Sequence, residues 1–535
     1  MGCGRRWLLV VRRWLLVVLL CGMAATRVTA QCPPRPESGT VVQDPYAIKA
    51  QNGVLQADFS LGYSVDQKGF THYCYQYQAP SGVVEAPTLR LNPGDTLQLN
   101  LTDAIEDYDE TKMAMHHAEG GQICGDGGEP TVSSTNMHFH GMPVQPVCHQ
   151  DDVIDTLIQP GSTFSFNIPI PKDTPPGLYW YHPHVHGFTE FQVNGGAAGA
   201  IIVEGMDKVR PEVKGLAERV FIIRQQYLVP WIPGPYDLTL NYQIAAFPDG
   251  ASPIIKMKPG ERQFWRVANA TIQDFMPLQV FINNKRTKLE LIALDGYPLE
   301  KTREVETILI PPAGRAEFIV QGPPAGGNGT LMSEAYSTGP TGNPDLQQLL
   351  AAIQPDGGDE QAAKPQTVAQ PGNSKTASQA AAEKTKWADV GARPITAKRK
   401  LYFSEEFGGT NGPIQFYITV DGQQQKVFDP NEKPAITTHV GAVEEWTIEN
   451  RALETHAFHI HQLHFKVLEV DGKKANTGQM LDTITIPYWS GTGPYHSVKL
   501  LMDFSDPNIA GTFVFHCHIL LHEDLGMMHK ILVEP

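Results

Sequence analysis

Three segments of the chain share one pattern, a Gly-containing turn followed by a strand in which apolar and polar residues alternate. They are NPGDTLQLNLTD from Asn92, KPGERQFWRVANA from Lys258 and VGAVEEWTIENRA from Val440. Alternation with a period of two places one face of a strand against a core and the other in water, as in a half-buried antiparallel sheet. Three copies of the pattern therefore predict three β-sandwich domains.

The repeats, together with two changes in composition, divide the chain into predicted segments. These are a signal peptide over 1–30, a first sandwich domain over 31–205, a second over 206–337, a linker or surface loop over 338–394 and a third sandwich domain over 395–535. The linker is rich in Gln, Ala, Pro and Ser, so it buries too little apolar surface to offset the entropy of ordering it. Within it, DLQQLLAAI from Asp345 could form one short helix.

Length and charge narrow the class of protein. A chain of 535 residues is too long for a single hydrophobic core, and 49 Gly with 42 Pro indicate many turns. The formal net charge of −15 disfavours nucleic acids and anionic membrane surfaces as partners. We expect a monomer that binds no nucleic acid and, once its leader is removed, no membrane.

The first thirty residues predict export. The apolar run WLLVVLLCGMAA follows four arginines and leads to a small-residue cleavage site at Val28-Thr29-Ala30. The run is too short to span a bilayer comfortably, so a membrane anchor is disfavoured. We expect a periplasmic or extracellular protein, exported by the general secretory or the twin-arginine route.

Of the seven cysteines, Cys3 and Cys21 would leave with the leader. Cys517 lies between two histidines, and we expect it to bind a metal. An even number of cysteines in an oxidising compartment allows up to two disulfides, with three pairings open. The four cysteines concerned are Cys32, Cys74, Cys124 and Cys148.

Histidines two residues apart occur more often than chance allows. With 19 His in the chain, chance gives about 0.7 His-x-His pairs, whereas the sequence has five. They lie in HFHG, HPHVH, HIH and HCH, which contain His138, His140, His182, His184, His186, His459, His461, His516 and His518. Residues two apart on a strand face the same way, so each pair presents two imidazoles to one side of its sheet. Imidazole binds Cu, Zn, Fe and Ni, so these pairs predict a metal without naming it.

The residues around Cys517 indicate which metal. A thiolate, an imidazole and a thioether follow one another in Cys517-x4-His522-x4-Met527, and His456 could add an imidazole from another strand. Two His and one Cys with a weak axial Met are the ligands of a blue-copper site. Because Cys517 lies between two histidines on a strand, its sulfur faces one side and their imidazoles face the other. One strand therefore connects two metal sites.

The motifs HFHG, WYHPH, HAFHIH and HCHILLHEDLGM resemble the four copper-binding motifs of the multicopper oxidase family, which includes laccases, ascorbate oxidase and bacterial copper efflux oxidases. The resemblance spans most of the mature chain. It implies an all-β fold of three cupredoxin-like Greek-key β-sandwich domains. The chain departs mildly from the family pattern, with HAFHIH in place of HPxHxH and two extra histidines, His186 and His464, but no ligand position is lost.

The resemblance also implies four copper ions and their ligands. The type 1 ion would be bound by His456, Cys517, His522 and Met527. The type 2 ion would be bound by His138 and His459. The paired type 3 ions would be bound by His140, His182 and His518 on one ion, and by His184, His461 and His516 on the other.

Three carboxylates are candidate catalytic residues for proton transfer. Glu523, directly after His522, resembles the acid that copper efflux oxidases place there to relay protons to the type 3 pair. Asp151 and Asp152 lie downstream of HFHG, roughly where the family keeps an acid near the type 2 copper. The alternative for each is a solvated surface carboxylate, which we favour for one of the two aspartates.

The resemblance implies an oxidase that takes single electrons from a reducing substrate at the type 1 copper and reduces dioxygen to water at a trinuclear cluster. Laccase-like oxidation of phenols or aromatic amines is the first choice, since axial Met527 indicates a low to moderate potential and easily oxidised donors. Oxidation of cuprous or ferrous ions in copper homeostasis is the alternative. The segment MAMHHAEGGQIC from Met113 could attract such cations, but a solvated loop is the favoured interpretation of it. A non-catalytic, electron-carrying cupredoxin is disfavoured, because a carrier needs only the blue site.

Overall fold

The computed structural model describes residues 31–67, 69, 71–105, 124–226, 237–245, 251–356, 393–407, 414–475 and 479–535. The predicted signal peptide, most of the predicted linker and residues 113–123 lie outside the described residues. Strands make up 51% of the structure and helices 5%, so the all-β fold class is confirmed.

Each predicted repeat is a strand with equivalent neighbours. In each copy the repeat strand pairs parallel with an earlier strand and antiparallel with a later one. In the first copy the earlier strand, the repeat strand and the later strand are Val54–Val65, Thr96–Asp103 and Thr163–Pro169. In the second copy they are Ala217–Gln226, Arg262–Ala270 and Arg315–Gln321. In the third copy they are Ala397–Phe407, Val443–Asn450 and His496–Asp503. The three repeats therefore occupy the same place in three copies of one sheet.

A second sheet packs against each of these sheets, and the two enclose a hydrophobic core, giving three β-sandwiches. The first sandwich also contains Ala47–Lys49, Thr71–Ala79, Gly82–Glu85, Thr88–Leu91, His138–His140, Gly177–His182 and Gly199–Val203. The second also contains Asp237–Leu240, Gln243–Ile244, Ile254–Met257, Met276–Ile282, Lys285–Arg286, Leu289–Leu294, Tyr297–Val305, Ile308–Ile310, Gly329–Ser333 and Gln348–Pro355. The third also contains Ile414–Val420, Ile436–His439, His456–Ile460, Phe465–Val470, Lys473–Lys474, Met480–Leu481, Thr483–Ile486, Gly511–Cys517 and Met528–Glu534.

Short elements complete the described structure. Cys124–Gly125 and Thr156–Leu157 form a small parallel ladder. The helices are Thr189–Asn194, Met206–Val209 and Leu520–Asp524, with 3-10 turns at Pro211–Val213 and Pro507–Ile509. Among the described residues, none of the helices has the length and apolar character needed to cross a membrane.

Two expectations about single elements were wrong. The middle repeat strand, Arg262–Ala270, is buried on both faces rather than one, because its outer face packs on Trp180 of the first sandwich through a cluster that includes Ala268 and Ala270. Gln348–Pro355, assigned to the linker and to a short helix, is a strand that pairs with Gly329–Ser333. A short apolar run such as LLAAI fits a buried strand as well as a helix. The other domain limits stay a prediction.

The four cysteines for which the sequence allowed disulfides form two of them. Cys32 bonds to Cys74, and Cys124 bonds to Cys148. This resolves the three pairings that the sequence left open. Cys517 is buried and unpaired, as its expected role as a metal ligand requires.

Candidate metal centres

Two pairs of neighbouring strands deliver the paired histidines to one buried region. In the first sandwich, His138–His140 pairs with Gly177–His182, which brings HFHG beside HPH. In the third sandwich, His456–Ile460 pairs with Gly511–Cys517, which places HIH beside HCH. Period-two alternation aims both imidazoles of HFHG to the same side, and in the other three pairs the second histidine follows within two residues of the end of the strand that carries the first.

The two sandwiches meet through these imidazoles. The rings of His138 and His461 stack with centroids 3.9 Å apart, and those of His140 and His459 stack at 4.0 Å. All eight members are buried. We call this set the histidine cluster; its members are His138, His140, His182, His184, His459, His461, His516 and His518.

Within the histidine cluster, ligand atoms gather in three groups in which every atom lies within 4.8 Å of the others. One group takes a residue from each of HFHG, HPH and HCH, namely His140, His182 and His518. The second is His184, His461 and His516, and the third joins His138 and His459 with His140. The structure thus brings together the sets expected for a type 3 pair and a type 2 ion.

The protonation state of the cluster suits a metal. Burial lowers the pKa of seven imidazoles, so they are neutral and keep a lone pair free. They are His138, His140, His182, His184, His459, His461 and His518. Among the described residues, ring nitrogens of six of these have no hydrogen-bond partner although buried: His138, His140, His182, His459, His461 and His518. Unpaired buried nitrogens are costly, and a bound cation would satisfy them.

A second group lies on the other face of the strand that ends at Cys517. Cys517 Sγ is 3.5 Å from Nδ1 of His456 and 3.9 Å from Nδ1 of His522. Met527 is buried, and its carbonyl accepts a hydrogen bond from the backbone N–H of Cys517. Phe416 is buried and stacks on His522 with ring centroids 3.9 Å apart. Burial raises the pKa of the Cys517 thiol, so a bound cation is what would hold it as a thiolate.

Comparison with known proteins gives the family of this chain. Models described as multicopper oxidase match residues 131–208, 227–354 and 408–535, which together make up more than half of the sequence. The chain belongs to the multicopper oxidase family. It is therefore a copper-dependent oxidoreductase, and the fold of three cupredoxin-like sandwiches is confirmed.

Similar proteins come from several bacteria. This multicopper oxidase is 25% identical to "Multicopper oxidase mco" of Staphylococcus aureus, over 91% of this chain and 88% of that one. It is 23% identical to a laccase of Bacillus subtilis, over 89% and 95%. Its fold matches a Campylobacter jejuni multicopper oxidase described as a metallo-oxidase, with a TM-score of 0.65, 22% identity and coverage of 94% and 96%.

The structure separates the two candidate aspartates of the multicopper oxidase. Asp151 is buried, and its Oδ1 accepts hydrogen bonds from Nδ1 of His138 and from the backbone N–H of Phe139, both at 2.9 Å. This bond directs Nε2 of His138 into the cluster. Asp152 instead accepts from the backbone N–H of Asp155, and in the described part of the chain it has no hydrogen bond or ion pair with a histidine. Burial raises the pKa of Asp151 to about 7.

Glu523 lies on the helix Leu520–Asp524 and faces the cluster. Its Oε2 is 3.1 Å from Nδ1 of His516, and its Oε1 is 3.5 Å from Nε2 of His184. Burial alone would raise the pKa of Glu523, but the facing imidazoles hold it below the usual range. The side chain is fully buried, so the alternative of a solvated carboxylate does not apply.

Sequence motifs gave no sign of a further buried carboxylate, Asp482. It lies 3.3 Å from Nε2 of His140, and its backbone carbonyl accepts from Nδ1 of His459 at 2.8 Å. Burial would raise the pKa of Asp482, but the guanidinium of Arg315 lowers it. The register of Thr483–Ile486 against His456–Ile460 places it there, and that register is not visible in a single sequence.

Two glutamates beside the Cys517 group were also missed. Glu405 Oε1 lies 3.4 Å from Nε2 of His456, and Glu454 Oε2 lies 3.6 Å from Nε2 of His522. The imidazoles of His456 and His522 face the sulfur of Cys517 with Nδ1. The two glutamates therefore lie at Nε2, on the edge of each ring that points away from the sulfur. Burial and the neighbouring Glu405 raise the pKa of Glu454. They come from different loops and strands, so no local motif joins them.

Proposed function

We propose that this multicopper oxidase takes single electrons from a reducing substrate at the Cys517 group and passes them to the histidine cluster, where dioxygen is reduced to water. The observation that carries the proposal is the strand Gly511–Cys517, which bears Cys517 next to His516 and is followed at once by His518. The bonds of one strand thereby join the two groups. No electron carrier of the simple blue type would need the second group.

The proposal assigns four copper ions to the residues present. His456, Cys517, His522 and Met527 would hold type 1, and His138 with His459 would hold type 2. The two type 3 ions would be held by His140, His182 and His518, and by His184, His461 and His516. When bound, four copper ions supply four one-electron couples, the number that reduction of dioxygen to water requires.

Two carboxylates of the chain support proton delivery in this proposal. Glu523 lies against two imidazoles of the cluster, with Oε2 3.1 Å from Nδ1 of His516 and Oε1 3.5 Å from Nε2 of His184, and we assign it the uptake and release of protons beside the cluster. Asp151 orients His138 and is the aspartate that faces the cluster. General acid–base groups contribute about 10²- to 10⁴-fold to such reactions. Asp152 has no part in this assignment.

Phenols or aromatic amines are the proposed donors. Met527 as the axial ligand supports a low to moderate potential, and with it a preference for electron-rich donors. Oxygen uptake by the copper-loaded protein, measured across a panel of phenols, cuprous, ferrous and manganous ions, tests this. Turnover of electron-rich phenols is expected; rapid turnover of cuprous ion without phenol oxidation would reverse the choice.

A metal-ion oxidase is the second candidate, and the Glu405–Glu454 pair favours it. Two carboxylates at the outer edges of His456 and His522 could bind a cation where electrons enter. If so, Glu405→Gln should raise the KM for ferrous or cuprous ion at least about 10-fold and leave the KM for phenols within about twofold. Glu406→Gln, at the exposed next position, is the matched control. Equal effects of the two variants would remove this candidate.

We also propose that the protein is exported and monomeric. The arginines, apolar run and small-residue site of the first thirty residues support export, and so do two disulfides, which form in oxidising compartments. Fractionation of cells with detection of the mature N-terminus tests this; an uncleaved chain in the cytoplasm would contradict it.

A further inference from the structure

We propose that Asp482, clamped by Arg315, positions one type 2 and one type 3 histidine, so that the second sandwich controls the copper cluster without contributing a ligand. The inference rests on the proposed function, because it takes His140 and His459 to be copper ligands. Asp482 and Arg315 are positioning residues, since they act through the imidazoles.

Asp482 fixes which nitrogen each of the two imidazoles presents. The ring of His140 faces Asp482 Oδ1 with Nε2, at 3.3 Å. The ring of His459 donates from Nδ1 to the carbonyl of Asp482, at 2.8 Å. The nitrogens left without a partner are Nδ1 of His140 and Nε2 of His459. One residue thus selects opposite tautomers on two ligands of different predicted ions.

Arg315 holds the carboxylate of Asp482 in place. Its Nη1 donates to Oδ1 at 2.7 Å and its Nη2 to Oδ2 at 2.5 Å, a two-point contact that fixes the plane of the carboxylate. Arg315 Nε donates to the carbonyl of Leu178 in the first sandwich. The guanidinium of the second sandwich therefore bridges the first and the third.

Asp295 fixes the backbone on both sides of this contact. Its Oδ1 accepts from the backbone N–H of Arg315 at 2.9 Å, and its Oδ2 accepts from the backbone N–H groups of Asp482 and Thr483, both at 3.3 Å. Asp295 thus holds the backbone of both members of the Arg315–Asp482 ion pair, which leaves Asp482 little freedom to reorient.

Packing next to the ligand strand is equally tight. Gly141 directly follows His140 and has a φ of +80°. A Cβ at this position would lie 2.5 Å from both Arg315 Nη2 and Asp482 Oδ2. The ion pair therefore lies against the backbone that carries the ligand, and only glycine allows that approach.

The same strand supplies a matched control. Glu317 lies two residues from Arg315, is fully buried and pairs with Arg266. Its Oε1 accepts from the backbone N–H of Leu178 at 2.9 Å, so this pair also joins the second sandwich to the first. In the described part of the chain, Glu317 has no hydrogen bond or ion pair with a histidine. Loss of this pair should disturb packing between sandwiches without reorienting a ligand.

The test compares Asp482→Asn and Arg315→Lys with Glu317→Gln in the full-length, copper-loaded protein. Copper content, the type 2 electron paramagnetic resonance spectrum and the blue absorption are measured while a copper chelator is titrated. We expect the first two variants to keep the blue absorption, to change the type 2 spectrum and to lose cluster copper at about 10- to 100-fold lower chelator concentration. Glu317→Gln should keep the wild-type spectrum. Arg315→Lys retains the buried charge, so it stays informative if Asp482→Asn does not fold.

Several results would overturn the inference. An unchanged type 2 spectrum and copper content in both variants would do so, as would an equal change in Glu317→Gln, which would indicate general loss of packing. A wild-type protein that binds no copper at the cluster would instead contradict the proposed function on which the inference rests. The two failures are therefore distinguishable.

Discussion

Asp151 and Asp152 are adjacent carboxylates with different surroundings, and the difference gives a prediction at the scale of single residues. Asp151 accepts from His138 and, at Oδ2, from the side-chain amide of Gln462. In Asp151→Asn, one of the two accepting oxygens is replaced by an NH2 group. That NH2 group would face either His138 or Gln462, and neither could then donate its hydrogen bond to this position. We expect turnover to fall about 10- to 100-fold. Steady-state oxygen uptake at saturating donor measures this.

Asp152→Asn is the control for that experiment, because its carboxylate contacts the turn at Asp155 rather than a ligand. Turnover should stay within about twofold of wild type. The assignment would be wrong if Asp152→Asn lost as much activity as Asp151→Asn, or if Asp151→Asn were fully active.

At the scale of elements, the strand Gln348–Pro355 is the clearest departure from expectation, and two leucines test it. Leu350 is fully buried in the second sandwich, whereas Leu346, four residues earlier, is 75% exposed. Leu350→Ala should lower the free energy of unfolding by about 2–5 kcal/mol, the usual cost of a core cavity. Leu346→Ala should change it by less than about 0.5 kcal/mol. Denaturant unfolding measures both changes. Equally small effects of the two substitutions would indicate that the segment is a surface linker and not a core strand.

How far the sequence predicted the elements depends on how local their signals are. The three repeat strands were found because turn and alternation lie within a dozen residues. The second face of Arg262–Ala270 was missed, since its burial comes from contact with Trp180 of another sandwich. The histidine and cysteine positions are likewise local motifs. Asp482 and Arg315 are 167 residues apart in sequence, so no local pattern could join them.

At the scale of the whole molecule, all three sandwiches meet at the histidine cluster and its immediate surroundings. The first and third supply the histidine cluster, with stacked rings across their contact. The second supplies Arg315, which reaches Leu178 of the first and Asp482 of the third. The ligand motifs found in the sequence all lie within the bounds predicted for the first and third domains, but no sequence feature predicted that the middle domain touches the site. Arrangement of the sandwiches, and not only ligand motifs, should therefore set the properties of the cluster.

The central claim is that electrons enter through Cys517 and pass to the histidine cluster, where dioxygen is reduced to water. The most direct test is the stoichiometry of oxygen uptake with a limiting one-electron donor, in the wild type and in Cys517→Ser. The account predicts consumption of about four donor molecules per dioxygen without hydrogen peroxide, since four electrons are needed. In Cys517→Ser, blue absorption and turnover should both be lost. Hydrogen peroxide as the main product, or turnover that survives Cys517→Ser, would contradict the account.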